Sequence, residues 1–178
     1  MPDILTLDQR HRLMAAIHSV STKPEIKLRH ALWKLRFRYL INDKRLPGTP
    51  DIVLPKYRTV IFVHGCFWHG HKGCTTSHIP KTNSSFWVAK ITRNQERDQE
   101  VWRQLEAKGW YVIIVWECEL KKKLFDDTVN SVAAEIILNG HTYHNIQTAR
   151  KKARALYQEE QKGRKEREAA LKAELHSQ

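Results

Sequence analysis

The sequence feature that most constrains the fold is an apolar run, residues 60–63, that ends abruptly in a polar cluster. Its length and β-branched content are typical of a buried strand. The cluster holds His64, Cys66, His69, His71 and Cys74. Just upstream, Asp51 begins a second short apolar run, residues 52–54. We therefore expect carboxylate, imidazole and thiol groups to meet at one end of two adjacent strands, where functional groups are common.

Hydrophobic periodicity predicts an α/β fold in which a mixed sheet is flanked by helices. The predicted strands are residues 38–41, 51–54, 59–63 and 110–116, the last being the most apolar run of the chain. Helices are predicted for about residues 6–18, from Thr22 onward, and for residues 85–108 and 124–138, with Gly109 and Asn139-Gly140 as stop signals. Thr22 and Glu25 form a capping box, which explains Glu25 without a catalytic role.

The net charge of +12 and the isoelectric point of about 9.8 indicate a polyanionic partner, most simply nucleic acid. Residues 148–178 carry nine Lys/Arg and five Asp/Glu, so 22 against 14 remain on residues 1–147, and the body itself is basic. We divide the chain into an amino-terminal arm (1–20), a core domain (21–147) and a charged extension (148–178) that is either a solvated helix or disordered.

The three cysteines are interpreted as thiols or metal ligands rather than as a disulfide framework. The chain has no secretory signal and no apolar run of about 20 residues, so we expect a cytoplasmic protein. Cys66, Cys74 and Cys118 with one histidine would complete a tetrahedral shell for structural Zn²⁺. Three unrelated core cysteines are the alternative. Spacing alone does not choose the histidine, because His69, His71 and His78 are all within reach.

The remaining groups of the cluster suggest hydrolysis assisted by a hard cation. Asp51 offers the oxygen ligand that Mg²⁺ favours, and a neutral imidazole from His64 or His69 is suited to take a proton from water near pH 7. This signal is weak alone. It gains weight because the basic surface implies a phosphodiester substrate, whose cleavage needs an activated water and a counter-charge.

Aromatic and polar side chains next to this cluster could serve either DNA binding or the structure of the protein. Phe67-Trp68 and Phe86-Trp87 would either stack on bases or pack beneath the loop. Trp102, Trp110 and Trp116 fit the core pattern. On the third predicted helix, a solvated face is the default for a polar set, namely Arg93, Asn94, Arg97 and Asp98.

Several motifs together resemble the very-short-patch mismatch repair endonucleases. They are L-P-G-T-P-D ending at Asp51, V-I-F-V-H-G-C-F-W-H from Val60 to His69, N-Q-E-R-D from Asn94 to Asp98, and V-I-I-V-W-E-C ending at Cys118. The resemblance covers about residues 8–120. It implies a restriction-endonuclease-like core with a structural zinc site. It also implies Mg²⁺-dependent nicking 5′ of the thymine in T:G mispairs, which arise when 5-methylcytosine made by a partner cytosine-5 DNA methyltransferase deaminates.

The resemblance also implies roles for individual residues. Asp51 and the backbone carbonyl of Val63 would bind Mg²⁺, with two ions expected, and His69 would be the general base, oriented by Glu25. His64, steadied by Asp98, would address the scissile phosphate. The implied zinc ligands are Cys66, His71, Cys74 and Cys118. The implied DNA contacts are Phe67, Trp68 and Trp87 beside the mispair, Met14 of the arm, and Arg93 and Asn94.

We expect a nucleoid-associated monomer that acts on double-stranded DNA without a membrane partner, because an asymmetric lesion needs a single nick. Two alternatives remain from the sequence. One is a restriction-like nuclease that cuts ordinary duplex at a specific sequence. The other is a non-catalytic, zinc-structured DNA-binding module.

Overall fold

The computed structural model describes residues 21–175, with side-chain surroundings described up to residue 163. The predicted arm, including Met14, lies outside the described residues. The helices are α1 (Lys23–Lys34), α2 (Ser84–Ala107) and α3 (Phe125–Leu175), and the strands are β1 (Ile52–Leu54), β2 (Thr59–His64) and β3 (Tyr111–Trp116). Short 3-10 helices cover Pro55–Tyr57 and Glu117–Leu120. Every helix in the described range is too polar or too short to cross a membrane.

The three strands form one mixed sheet in the order β1-β2-β3. β1 and β2 are antiparallel, with Ile52 opposite Ile61. β2 and β3 are parallel, and His64 lies opposite Trp116 at their carboxyl ends. The predicted α/β arrangement of a mixed sheet flanked by helices is confirmed at this level.

Both faces of the sheet are buried, which explains why its strands are nearly continuous apolar runs. One face packs against α1 and α3, through side chains such as Leu28, Ile61 and Ile136. The other face packs against α2, through Val60, Phe62 and Leu105. Because successive side chains on a strand alternate between faces, Asp51, His64 and Trp116 share the α2 face with this second core.

The prediction of a strand at residues 38–41 is wrong. Only an isolated antiparallel bridge joins Leu40 to Val53, with two backbone hydrogen bonds of 2.8 Å. Leu40 and Ile41 are about half exposed, at 45% and 53%, so no apolar face holds a longer strand on the sheet. At Asn42 the backbone turns away with a φ of +48°.

The prediction that the last helix ends at Asn139-Gly140 is also wrong, because α3 continues to Leu175. Glycine costs only about 1 kcal/mol within a helix, and the residues that follow are mostly strong helix formers. The ring of Tyr57 packs so closely on Gly140 that a Cβ there would lie 2.6 Å from Tyr57 Cδ1. This close approach accounts for a glycine at a helical position.

The chain divides between Gly140 and His141 into two compact units. The first unit holds the sheet, both cores and the clustered histidines and cysteines. The second unit, where it is described, is the remainder of α3, and nearly all of its side chains from residue 141 to residue 163 are exposed.

Candidate active site and metal centre

A cleft of about 780 Å³ lies at the carboxyl end of β2, between the start of α1 and the middle of α2. The predicted catalytic residues that line it are Glu25, Asp51, His64, His69 and Asp98. These residues are distant in the sequence, and the antiparallel β1–β2 pair and the parallel β2–β3 pair bring their elements to one edge of the sheet. The structure thus collects the whole predicted catalytic set in one place.

Asp51 is a largely buried carboxylate that immediately precedes β1. Its Oδ2 accepts a hydrogen bond of 2.7 Å from the backbone N–H of Val63. Burial raises the pKa of Asp51 to about 6, and the nearby carboxylate of Glu25 adds to the rise, while the Val63 hydrogen bond and Arg29 oppose it. No cationic side chain within residues 21–163 forms an ion pair with this carboxylate. A buried carboxylate without an ion-pair partner, open to a cleft, suits a hard cation.

Glu25 is buried and its carboxylate is fully engaged at the start of α1. It accepts hydrogen bonds from the Thr22 hydroxyl at 2.7 Å, from the Ser21 N–H at 3.0 Å and from Arg29 Nη2 at 2.9 Å. The predicted cap is therefore present. Glu25 was expected to orient His69, but the hydrogen bonds of its carboxylate go to Ser21, Thr22 and Arg29 instead. In the structure Glu25 therefore caps the start of α1.

His69 and Asp98 form a closely bonded pair. His69 Nδ1 lies 2.5 Å from Asp98 Oδ2, and Asp98 is 8% exposed. Burial works against the ionised carboxylate, but the hydrogen bond from His69 and the neighbouring imidazole and guanidinium charges hold the pKa of Asp98 below its usual range. With Nδ1 fixed by the carboxylate, Nε2 is the ring nitrogen of His69 left to accept a proton. The prediction that Asp98 lies on a solvent-exposed face of the helix is therefore wrong.

His64 stacks on His69, with ring centroids 3.7 Å apart and planes inclined by 16°. Burial lowers the pKa of His64 to about 4, and the neighbouring His69 contributes to the decrease. His64 is therefore neutral near pH 7. Asp98 was expected to steady His64, but the structure bonds Asp98 to His69, and within the described residues the buried Nδ1 of His64 has no hydrogen-bond partner.

Side chains of α2 fix the loop that carries His69. Asn94 Nδ2 donates to the carbonyl of Trp68 at 2.9 Å, and Gln95 Nε2 donates to the carbonyl of His69 at 3.0 Å. Gly70 follows with a φ of +63°, and a Cβ there would lie 2.6 Å from Gln95 Nε2. Three side chains spaced along α2, including Asp98, thus hold the backbone and the ring of His69 together.

A second cluster lies beside the cleft and consists of three thiols and one imidazole. Ligand atoms of Cys66, His71, Cys74 and Cys118 all lie within 4.8 Å of one another. His71 Nδ1 is 3.5 Å from Cys66 Sγ and 3.4 Å from Cys118 Sγ. With Zn–S and Zn–N bonds of about 2.3 and 2.0 Å, a tetrahedron has edges of roughly 3.5–3.8 Å. The cluster therefore fits a closed structural metal site, with His71 as its histidine.

Comparison with known proteins identifies the family. A family model for the DNA mismatch endonuclease Vsr matches residues 2–75. The chain is 52% identical over 137 residues to the type II nicking enzyme V.NmeAIP of Neisseria meningitidis serogroup A, which covers 76% of this chain and 97% of that protein. It is 40% identical over 139 residues to the DNA mismatch endonuclease Vsr of Escherichia coli K12, covering 77% of this chain and 88% of the relative.

The chain belongs to the Vsr family of DNA mismatch endonucleases. It is an endonuclease that nicks DNA, and this confirms the resemblance inferred from its motifs. A non-catalytic DNA-binding module is thereby excluded.

Four aromatic residues of this Vsr chain form a cluster next to the cleft. Phe67, Trp68 and Trp87 pack edge to face, with centroids 5.1, 5.2 and 6.1 Å apart, and Phe86 joins Trp87 at 5.1 Å. Trp87 is buried, whereas Phe86 is 58% exposed. Arg93 lies exposed on α2, as the solvated-face default predicted, whereas Asn94 supports the loop.

Arg29 is a charged residue of the Vsr site that sequence reasoning missed. It is 6% exposed, and its Nη2 donates to Glu25 at 2.9 Å and to the backbone carbonyl of Asp51 at 3.1 Å. Arg29 therefore ties the start of α1 to the residue that carries the buried carboxylate. Its spacing of four residues from Glu25, typical of an ion pair on a helix, was the available signal.

Proposed function

We propose that this protein nicks one strand 5′ of the thymine in T:G mispairs left by deaminated 5-methylcytosine, in a Mg²⁺-dependent reaction that starts very-short-patch repair. The observation that carries the proposal is the His69–Asp98 pair, stacked on neutral His64 and facing the same cleft as Asp51. A proton acceptor and a buried carboxylate in need of a cation are the parts that phosphodiester hydrolysis requires.

The chain's own groups divide the work as follows. Asp51 and the Val63 carbonyl would hold Mg²⁺, for which two ions are expected. When bound, Mg²⁺ supplies positive charge to the phosphate and lowers the pKa of water. His69 takes the proton of the attacking water at Nε2, while Asp98 fixes its tautomer and stabilises the imidazolium that forms. His64, neutral near pH 7, donates a hydrogen bond to the scissile phosphate. Glu25 acts on Asp51 through Arg29.

Structural Zn²⁺ at Cys66, His71, Cys74 and Cys118 completes the proposal for metals. The four ligands come from the ends of β2 and β3 and from the loop between β2 and α2, so the ion would close a long polar loop onto the sheet. The test is metal analysis of the purified protein. We expect one zinc per chain and its loss in Cys118→Ser, and a protein that folds without zinc would contradict this role.

The aromatic cluster is the proposed mispair reader. Phe67 and Trp68 would enter the duplex beside the mispair, as apolar wedges do at unstacked base steps, with the buried Trp87 packed against both rings as their support. A mispaired step costs less to unstack than a Watson–Crick pair, which gives the wedge a preference for lesions. Asn94 supports the wedge through the Trp68 carbonyl, and the exposed Arg93 and the arm with Met14 would contact the DNA alongside it.

The proposed biological setting follows from the lesion. A cytosine-5 DNA methyltransferase would create the 5-methylcytosine whose deamination gives the mispair, and one chain would act alone because one strand is cut. The basic charge supports double-stranded DNA as the partner.

The test is strand-resolved nicking of end-labelled duplexes that carry T:G or T:A at one position, with and without Mg²⁺. We expect a Mg²⁺-dependent nick 5′ of the mispaired thymine, lost in Asp51→Ala and His69→Ala. His78→Ala is the matched control, because His78 is exposed in the same loop and belongs to neither cluster. Equal cleavage of T:A would instead favour a restriction-like nuclease, an alternative consistent with relatives described as type II nicking enzymes.

A further inference from the structure

Trp116 occupies the last position of β3, directly opposite His64 of β2. Partners in a parallel pair point to the same face of the sheet, so the indole and the imidazole lie side by side on the α2 face. Their ring centroids are 5.5 Å apart with an interplanar angle of 79°, an edge-to-face contact. Trp116 is half-buried between the two clusters described above.

The indole of Trp116 also stacks on the ring of His71. The two rings are parallel to within 5° and their centroids are 4.1 Å apart. Because Nδ1 of His71 faces the sulfurs of Cys66 and Cys118, a metal bound there fixes the plane of this imidazole. The metal cluster thus sets the surface on which the indole of Trp116 lies.

The orientation of His64 depends on its ring contacts. Its Nδ1 is buried without a hydrogen-bond partner among the described residues, so no hydrogen bond fixes the ring through that atom. The rings of His69, Trp116, Trp102 and Phe62 surround it, with centroids at 3.7, 5.5, 6.0 and 6.1 Å. Of these four, Trp116 is the one that also stacks on a residue of the thiol cluster.

We propose that Trp116 is a positioning residue that couples the thiol–imidazole metal centre to the catalytic histidines. A filled metal centre fixes His71, His71 fixes the indole of Trp116, and the indole holds His64 against His69. The coupling goes beyond the structural role of zinc in closing the loop, and its kinetic consequence rests on the proposed function of His64 and His69.

The experiment compares Trp116→Leu and Trp116→Phe with Trp110→Leu, the same change at the residue just before β3. Trp110 packs against the second core and beneath Arg58, away from both clusters. Zinc content, thermal stability, kcat and KM on a T:G duplex, and the Cε1–H resonances of His64 and His69 are measured for each protein. For Trp116→Leu we expect full zinc content, a kcat lowered by about 10- to 100-fold and a KM within about twofold, because small misplacements of reacting groups have effects of this size.

Three further results are expected. Trp116→Phe, which keeps a flat ring, recovers most of kcat. Trp110→Leu keeps kcat even if it lowers the melting temperature as much. The His64 resonance moves in Trp116→Leu and stays in place in Trp110→Leu.

Two results would overturn the proposal. One is a Trp116→Leu protein with unchanged kcat and an unmoved His64 resonance. The other is loss of zinc in that variant, which would assign Trp116 to the metal centre alone. If the wild-type protein does not nick T:G duplexes, the proposed function fails, while the His64 resonance still tests the coupling.

Discussion

Burial disfavours the charge of Asp51 by more than the Val63 hydrogen bond and Arg29 stabilise it. Its pKa is raised from 3.8 to about 6, chiefly by burial. A carboxyl group whose pKa is higher in the folded state contributes stability that is fully present below the unfolded pKa and is lost as the pH rises through the folded pKa. At neutral pH the ionised Asp51 therefore opposes folding in the absence of Mg²⁺, as functional carboxylates in clefts often do.

We expect Asp51→Asn to raise the free energy of unfolding at pH 7 in Mg²⁺-free buffer by about 2–3 kcal/mol, because a difference of two pKa units corresponds to roughly that energy. The gain should disappear near pH 4, and urea unfolding at both pH values measures it. Asp43→Asn is the control of opposite sign, because Arg45 holds the pKa of Asp43 at about 2. A destabilised Asp51→Asn protein at pH 7 would contradict the uncompensated charge.

Asp98 offers a second test at the level of single residues, because it fixes the tautomer of His69. Asn in its place retains the size but presents an N–H or a neutral oxygen to Nδ1. We expect Asp98→Asn to lower kcat by about 100-fold or more with little change in DNA affinity, as when a carboxylate is removed from behind a catalytic imidazole. Single-turnover nicking measures this. Arg97→Ala, a change at the exposed neighbour of Asp98, is the control. If Asp98→Asn nicks DNA as fast as this control, Asp98 does not fix the tautomer of His69.

Among the elements, α3 contains two glycines with opposite surroundings. Gly140 faces the ring of Tyr57, and a Cβ there would lie 2.6 Å from Cδ1, whereas nothing lies within 4 Å of a Cβ on Gly163. We expect Gly163→Ala to stabilise the helix by about 0.5–1 kcal/mol through helix propensity. Gly140→Ala should destabilise by about 1–3 kcal/mol because the Tyr57 ring must shift. Thermal unfolding followed by circular dichroism compares them, and an equal gain from both would show that the Tyr57 contact is soft.

The elements that the sequence predicted correctly are those whose start and stop signals lie within the element itself. The capping box at Thr22 and the stop at Gly109 are local. α1 begins within a residue of the predicted start, and α2 begins and ends within a residue of the predicted positions. The extent of α3 was missed because Gly140 looks like a helix stop until the ring of Tyr57, distant in sequence, occupies the space of its side chain. The strand at residues 38–41 was overpredicted because its apolar residues remain exposed.

The same distinction holds for the candidate site. The thiols and His71 follow from composition and family motifs, and the structure brings them together. The histidine that Asp98 binds could not be predicted from the sequence. Asp98 is 29 residues from His69, and its separation from His64 is nearly the same. Arg29 was missed because a buried guanidinium on an amphipathic helix looks like a surface residue in the sequence.

At the scale of the whole molecule, charge is spread over both units. The whole chain has a net charge of +12. Residues 141–178 contain nine Lys/Arg and five Asp/Glu and so contribute 9 − 5 = +4 of it. The basic residues Arg150, Lys151, Lys152 and Arg154 are all exposed on α3, and no acidic residue occurs between residues 141 and 158. A solvated helix face would leave DNA binding unchanged when these charges are removed, whereas contact with phosphates would contribute affinity independent of sequence.

We expect the joint substitution of these four residues by Gln to weaken binding of T:G and T:A duplexes by the same factor, with kcat at saturating DNA unchanged. The slope of log K against log salt concentration should become less negative by up to about 3–4, because each lost phosphate contact removes about 0.9. Fluorescence anisotropy over a salt series measures both quantities. Glu159→Gln/Glu160→Gln is the control of opposite sign and should strengthen binding. An unchanged slope in the fourfold variant would mean that the first unit alone supplies the electrostatic attraction, so that α3 beyond Gly140 is a solvated helix and the search for lesions depends on the core domain.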